Sequence, residues 1–246
     1  MTYHLQFGVL LQYLPTLLDG LWITLWLAVL GIFLGFALGV LGAVASVSSI
    51  KTYRIVCRVY VEFFRNTPML IQLLVLFFGL PALGIRLSPL IAASLALILN
   101  NTAYIMEIVR GGILSTDKGQ YEAAESLGLT RGQALRFVVL PPAIEKVFLP
   151  IVSQSVLLML STSIVSTIGV PELTGAAMQI SSDTFRALEL YLSLAIIYVL
   201  LNYIFRAALT ILWQAIFKKT GQKRLFQRVA KPIVITELDV GSGNNA

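Results

Sequence analysis

The sequence predicts an all-α membrane protein of five transmembrane helices, with the N-terminus outside and the C-terminus in the cytoplasm. Three observations carry that prediction. The 246 residues are 57% hydrophobic and only 12% charged, with a mean hydropathy of +0.85, well outside the composition of an ordinary soluble domain. Long apolar stretches are present as well. A hydrocarbon core of roughly 30 Å needs about 20 helical residues, and Gly20 to Ile50, Asn66 to Ile85, Leu87 to Met106 and Val147 to Pro171 contain no Asp, Glu, Lys or Arg. A fifth stretch, Leu188 to Phe217, carries only Glu189 at its start and Arg206 in its second half. Finally, the cations alternate from side to side. Lys51, Arg54, Arg58 and Arg65 follow the first span, Arg110, Lys118, Arg131, Arg136 and Lys146 the third, and Lys218, Lys219, Lys223, Arg224, Arg228 and Lys231 the fifth, whereas the opposite loops hold only Arg86 and Arg186. The positive-inside rule then sets the orientation.

Residues 1–19 form an expected outer interfacial segment, with Leu5, Val9, Leu10, Leu14 and Leu17 at near-helical spacing and a bend marked by Pro15 and Asp19-Gly20. No basic n-region precedes the first apolar run, so no removable signal peptide is expected. Residues 20–220 form a single transmembrane domain. Its first span carries Gly31, Gly35, Gly39 and Gly42 close to one stripe, a pattern that lets helix backbones approach within lipid. Arg54, Arg58, Glu62 and Arg65 then recur every three or four residues opposite Val56, Val59, Tyr60, Phe63 and Phe64, an amphipathic cytoplasmic extension. Asn66-Thr67-Pro68 opens the second span, where a missing N–H costs least. Pro81 to Pro89 is a short outer loop, and Glu172, Asp183 and Arg186 fall on another. Residues 221–246 turn polar and end Gly-Ser-Gly-Asn-Asn-Ala, a composition that predicts a mobile cytoplasmic tail.

The most informative segment is the cytoplasmic loop 110–146. Gln120 to Leu127 uses good helix formers, and Gly128 stands where a left-handed cap is wanted. Thr130 and Gln133 make a capping-box start for a second helix, which Pro141-Pro142 should end. The product is a compact knob with Leu127 and Leu129 flanking the glycine. Its Glu122, Ala123, Ala124, Gly128, Val139, Leu140 and Pro141 resemble the EAA loop of ABC importer permeases. Leu17 to Leu25, Tyr60 to Gln72, Ala103 to Ile113 and Ser161 to Leu173 extend the resemblance over nearly the whole chain, to the polar amino acid branch of that family. Two departures stand out: Leu160 replaces a frequent lysine two positions before the threonine matching Thr162, and Pro142 replaces a common glutamine.

The resemblance implies a type I importer permease of the bacterial cytoplasmic (inner) membrane. Glu122, Ala123, Ala124, Leu127, Gly128, Leu140 and Pro141 would couple it to a cytoplasmic ABC ATPase present in two copies. It further implies a second permease subunit, identical or related, an external solute-binding protein, and an amino acid as cargo moved by alternating access. Another small polar solute is the near alternative, and an ATPase-independent secondary transporter the remoter one.

Polar groups at membrane depth are costly unless paired, so they mark a pathway or a helix contact. Asn100, Asn101 and Thr102 in the third span, and Ser161, Thr162, Ser163 and Ser166 in the fourth, form two such clusters and are the candidate substrate pathway; bonding to their own helix carbonyls is the alternative for each. Glu107 and Arg110 can pair at i, i+3, and Arg206 is expected to snorkel or meet a carboxylate. No metal or other cofactor is expected: His4 has no ligating neighbours, Cys57 is the only cysteine, and no Gly-x-x-x-x-Gly-Lys-Ser/Thr loop is present. The chain is therefore not expected to be an enzyme, and the net charge of +6, spread over loops, does not point to nucleic acid.

Overall fold

The computed structural model describes residues 5–217. His4, the cations from Lys218 onward and the expected tail 221–246 lie outside the described residues. Among those described there is no strand. The order is α1 (Gly8–Gln12), α2 (Leu14–Ser46), α3 (Lys51–Asn66), α4 (Met69–Leu74) with a π turn and a 3-10 turn running on to Leu83, α5 (Pro89–Leu114), α6 (Lys118–Ser126), α7 (Arg131–Gln133), a π segment Ala134–Val139, α8 (Leu140–Lys146), α9 (Phe148–Ser161) with a 3-10 extension Thr162–Ile168, α10 (Leu173–Thr184) and α11 (Ala187–Phe217). Two compact units divide the chain, Met1–Thr210 and Ile211–Ala246; the second is described only as the end of α11.

Four helical stretches, Leu14–Ser46, Pro89–Leu114, Phe148–Ile168 and Ala187–Ala215, are long and apolar enough to cross a membrane, and a fifth is obtained if α3 and Met69–Leu83 count as one span bent by 106°. Pro68, extended at φ −61 and ψ 138, sits at that bend, and α4 starts immediately after it, as the sequence suggested.

The glycine stripe is an interface within the chain. Gly31, Gly35 and Gly39 are buried where α2 lies along α5. A Cβ on Gly35 would stand 2.7 Å from Asn101 Nδ2, one on Gly39 would stand 2.6 Å from Ile105 Cβ, and one on Gly42 would run into Met106 Cε. Backbones this close gain dispersion contacts that a bilayer, as apolar as the side chains themselves, does not offer through exclusion of water. Around this pair the core is layered. Leu17, Leu173, Ile180 and Leu190 pack at one end, Leu27, Leu73, Leu97 and Leu158 in the middle, and Ala43, Ile105, Val109, Val139 and Ile151 at the other.

Three expectations need correction. The chain does not bend at Asp19-Gly20. The joint is at Tyr13, and Pro15 lies in the first turn of α2, where its absent N–H has no helical partner to lose. Pro141-Pro142 do not end a helix but open α8; the wide turn of the preceding π segment supplies the offset that a proline ring demands from the carbonyl four residues back. The stretch holding Glu172 and Asp183 is not an outer loop: α10 fills it, and Glu172 is completely buried.

Candidate functional site

The knob has the anticipated construction. Asp117 caps α6 by accepting from the Gly119 N–H at 2.9 Å, and Gly128 is left-handed at φ +79. The Leu129 N–H donates to the Ala124 carbonyl at 3.1 Å and the Gly128 N–H to the Glu125 carbonyl at 2.9 Å, the paired bonds of a Schellman ending. Two residues on, Thr130 and Gln133 form a reciprocal capping box. These fixed ends hold α6 so that one side is buried and the other free. Ala124 is 2% exposed and Leu127 82%, with Glu122 and Ala123 also exposed. Tyr121, half-buried, has its phenol pushed up by that burial, so it stays neutral at physiological pH. It belongs with Leu135, Leu140 and Ile144 to the cluster built on Val109 and Ile113 of α5 and Ile151 of α9. Leu140 is half-buried and Pro141 exposed. Lys146 closes the loop at its base by donating to the Ser115 carbonyl at 3.1 Å. A force on the exposed side of α6 therefore meets packed side chains that continue into α5 and α9.

Asn100, Asn101 and Thr102 are all buried, but they do different things. Asn100 donates to Gln72 Oε1 at 3.0 Å. The amide of Gln72 donates in turn to the Phe64 carbonyl at 2.9 Å and to the carbonyl and hydroxyl of Thr67 at 3.0 and 2.8 Å, satisfying the carbonyls that the bend leaves open. Asn101 fastens the glycine interface, donating to the Gly31 carbonyl at 3.2 Å and accepting from Gln154 at 3.4 Å. Thr102 donates to the Ile98 carbonyl at 2.8 Å. In the second cluster each hydroxyl turns to its own chain. Ser161, Thr162, Ser163 and Ser166 donate to the carbonyls of Leu157, Met159, Leu160 and Ser163. Thr162 is buried and the other three are half-buried, so their remaining acceptor capacity is what faces outward. The two clusters lie on separate elements, with no hydrogen bond between them among the described residues.

A third polar group escaped the sequence reading. Glu172 caps α10, accepting from the Thr174 and Gly175 N–H groups at 3.0 and 2.8 Å, from Thr24 of α2 at 3.2 Å and from Tyr198 of α11 at 3.1 Å. Burial holds its carboxyl above the usual carboxylate range, the four donors pulling the other way without cancelling it. The available signal was Thr24, a lone polar residue in an apolar span, together with a carboxylate directly after an apolar run. Glu107 and Arg110 pair as expected, at 2.6 and 2.8 Å. Arg206 is exposed.

A capped knob on a bundle of apolar helices defines a multi-span membrane protein with one structured loop between its spans. Residues 31–218 match the family of the binding-protein-dependent transport system inner membrane component, and the chain belongs to that family: it is a multi-pass inner-membrane permease component. It is 35% identical over 193 residues to the glutamine transport system permease protein GlnP of Escherichia coli (strain K12), covering 78% of this chain and 88% of that one. With the L-cystine transport system permease protein TcyL of Bacillus subtilis (strain 168) it shares 36% over 236 residues, 93% of this chain and 95% of the relative. The arginine transport system permease protein ArtQ of the same organism shares 33% over 217 residues, 88% of this chain and 97% of the relative. Among solved structures, a crystal structure of an amino acid ABC transporter with histidines superposes with a TM-score of 0.78 at 36% identity, over 86% of this chain and 98% of that chain. The MetNI methionine ABC transporter in an inward-facing conformation has the same fold, at a TM-score of 0.70 and 23% identity.

Proposed function

We propose that this chain is the permease subunit of an ATP-driven importer that takes up amino acids by alternating access. The observation that carries the reading is the doubly capped knob around Gly128, with Glu122, Ala123 and Leu127 exposed on one side and Ala124 buried on the other. Loop 110–146 then faces the cytoplasm, the N-terminus is outside, and α3 with Met69–Leu83 counts as one bent span of five. Two ATPase subunits grip the knobs of two permease chains, and an external binding protein delivers the solute. ATP closure shifts the equilibrium only through its differential affinity for the two states, and the cluster joining Tyr121 and Leu140 to α5 and α9 is the route by which it does so. The relatives named for glutamine, cystine and arginine transport support an amino acid as cargo. Asn100, Asn101 and Thr102, with Ser161, Thr162, Ser163 and Ser166, remain the proposed polar lining, the first group by holding the bend and the glycine interface in register.

Uptake by the purified complex in proteoliposomes, measured against a panel of amino acids with and without ATP, tests the reading. ATP-dependent accumulation is the expected result; flux driven by an ion gradient alone would assign the chain to secondary transport.

A further inference from the structure

Between α3 and α5 lies a cavity of about 270 Å³ that neither the knob nor the buried amides use, with Arg54, Arg58, Glu62, Arg65, Glu107 and Arg110 among its lining residues. The helix that forms one wall, α3, packs Cys57, Tyr60 and Val61 against the core. Its charged residues Arg54, Arg58, Glu62 and Arg65 are exposed along the edge of that seam, while Ile55, Val56, Val59 and Phe63 on the far side are 51, 61, 60 and 58% exposed. Charged side chains are costly against lipid, so a charged stripe beside an exposed apolar face marks a watered recess.

The charges in the chamber are not balanced. Glu107 holds Arg110 through two bonds. Arg54 donates only to the Ser48 carbonyl, at 3.4 Å, and Arg65 lies over the Tyr104 ring at 5.4 Å. Arg58 has no hydrogen bond or ion pair among the described residues. Four guanidinium groups face two carboxylates. Asn100, Tyr104 and Glu107 recur at spacings of four and three, along one face of α5, so that about 10 Å of helix connects the Asn100–Gln72 bond to the arginines.

We propose that this chamber is an exit site for the imported amino acid, taking the α-carboxylate on Arg58 between Arg54 and Arg65 and the ammonium on Glu62. Its excess positive charge favours neutral and acidic cargo over basic cargo. The inference rests on the importer reading and adds a cargo class to it. A guanidinium fork matches a carboxylate in geometry and charge, and the exposure of Arg54, Arg58 and Glu62 keeps binding weak, as a point of release requires.

Cys57, the only cysteine in the sequence, is half-buried in the chamber wall and reports on its occupancy. The complex with its ATPase, in phosphatidylcholine bilayers without binding protein, is treated with a small methanethiosulfonate in the presence of L-glutamate, L-glutamine, L-lysine or inorganic phosphate. Glutamate and glutamine should slow modification of Cys57 at lower concentrations than lysine. Arg58→Gln should raise the concentration needed about tenfold, the loss of one charge-assisted bond, and Arg58→Lys should recover part of it. Equal or better protection by lysine, protection unchanged by Arg58→Gln, absence of protection, or protection by phosphate alone would each overturn the proposal. ATP-dependent uptake in the complete system keeps the two readings apart: uptake without protection removes the exit site alone, whereas protection without uptake removes the importer reading and leaves an amino acid site with no role in exit.

Discussion

Replacing Gly128 with valine separates the shape of the knob from the rest of the molecule. The residue stands at φ +79, and a Cβ added there would have nothing within 4 Å, so the substitution meets no neighbour and acts through the backbone alone. A left-handed conformation costs a non-glycine residue about 1–2 kcal/mol, and a β-branched side chain sits at the upper end of that range. At 1.4 kcal/mol per factor of ten, the population of the bent ending falls about 5- to 30-fold, releasing the Leu129 to Ala124 and Gly128 to Glu125 bonds. Membrane insertion and thermal stability of the bundle should be little changed, because Gly128 itself touches none of the packed clusters. ATP-dependent uptake in proteoliposomes should fall by about the same factor, with ATP hydrolysed per solute rising. Gly128→Asn provides the control, since asparagine tolerates the left-handed region and should keep most of the uptake. Normal transport by Gly128→Val, or equal damage by both variants, would refute the view that this cap geometry couples the loop to the ATPase.

Gly39→Ala should destabilise the chain by about 1–3 kcal/mol through overpacking against Ile105, whereas Gly111→Ala, with open space around it, should be neutral or gain up to about 1 kcal/mol of helix propensity; thermal unfolding of the two variants in detergent, if it gave equal midpoints, would remove the tight α2–α5 interface. Glu172→Ala leaves the Thr174 and Gly175 N–H groups without their acceptor and should cost about 2 kcal/mol or more, with Glu172→Gln intermediate, read from the same unfolding curves. Gln72→Leu strips the Phe64 and Thr67 carbonyls and Asn100 of a partner, at about 1–3 kcal/mol for each group left unsatisfied. Amide exchange over residues 64–69 should accelerate, and unchanged protection there would deny Gln72 its role at the bend.

What the sequence determined by itself is everything that depends on neighbours along the chain. The length of apolar runs decides which segments are long enough to span, because a bilayer has a fixed thickness. The knob was equally legible. Gly128, Thr130 and Gln133 act on N–H and C=O groups only a few residues away, so their spacing alone specifies a Schellman ending and a capping box. The glycine stripe announced a helix contact, but its partner did not follow from α2 alone. Only the tertiary structure set Gly35 against Asn101 and Gly39 against Ile105. It alone brought Thr24, Glu172 and Tyr198 together from positions up to 174 residues apart in the numbering, converting an expected loop carboxylate into a buried cap. It also decided that Pro141-Pro142 begin a helix and that the arginines of α3 share one cavity with Glu107 and Arg110 of α5. The reason is the same in each case: a polar group in a low-dielectric interior takes whichever partner the fold presents within about 3 Å, and sequence spacing carries no record of distances across helices.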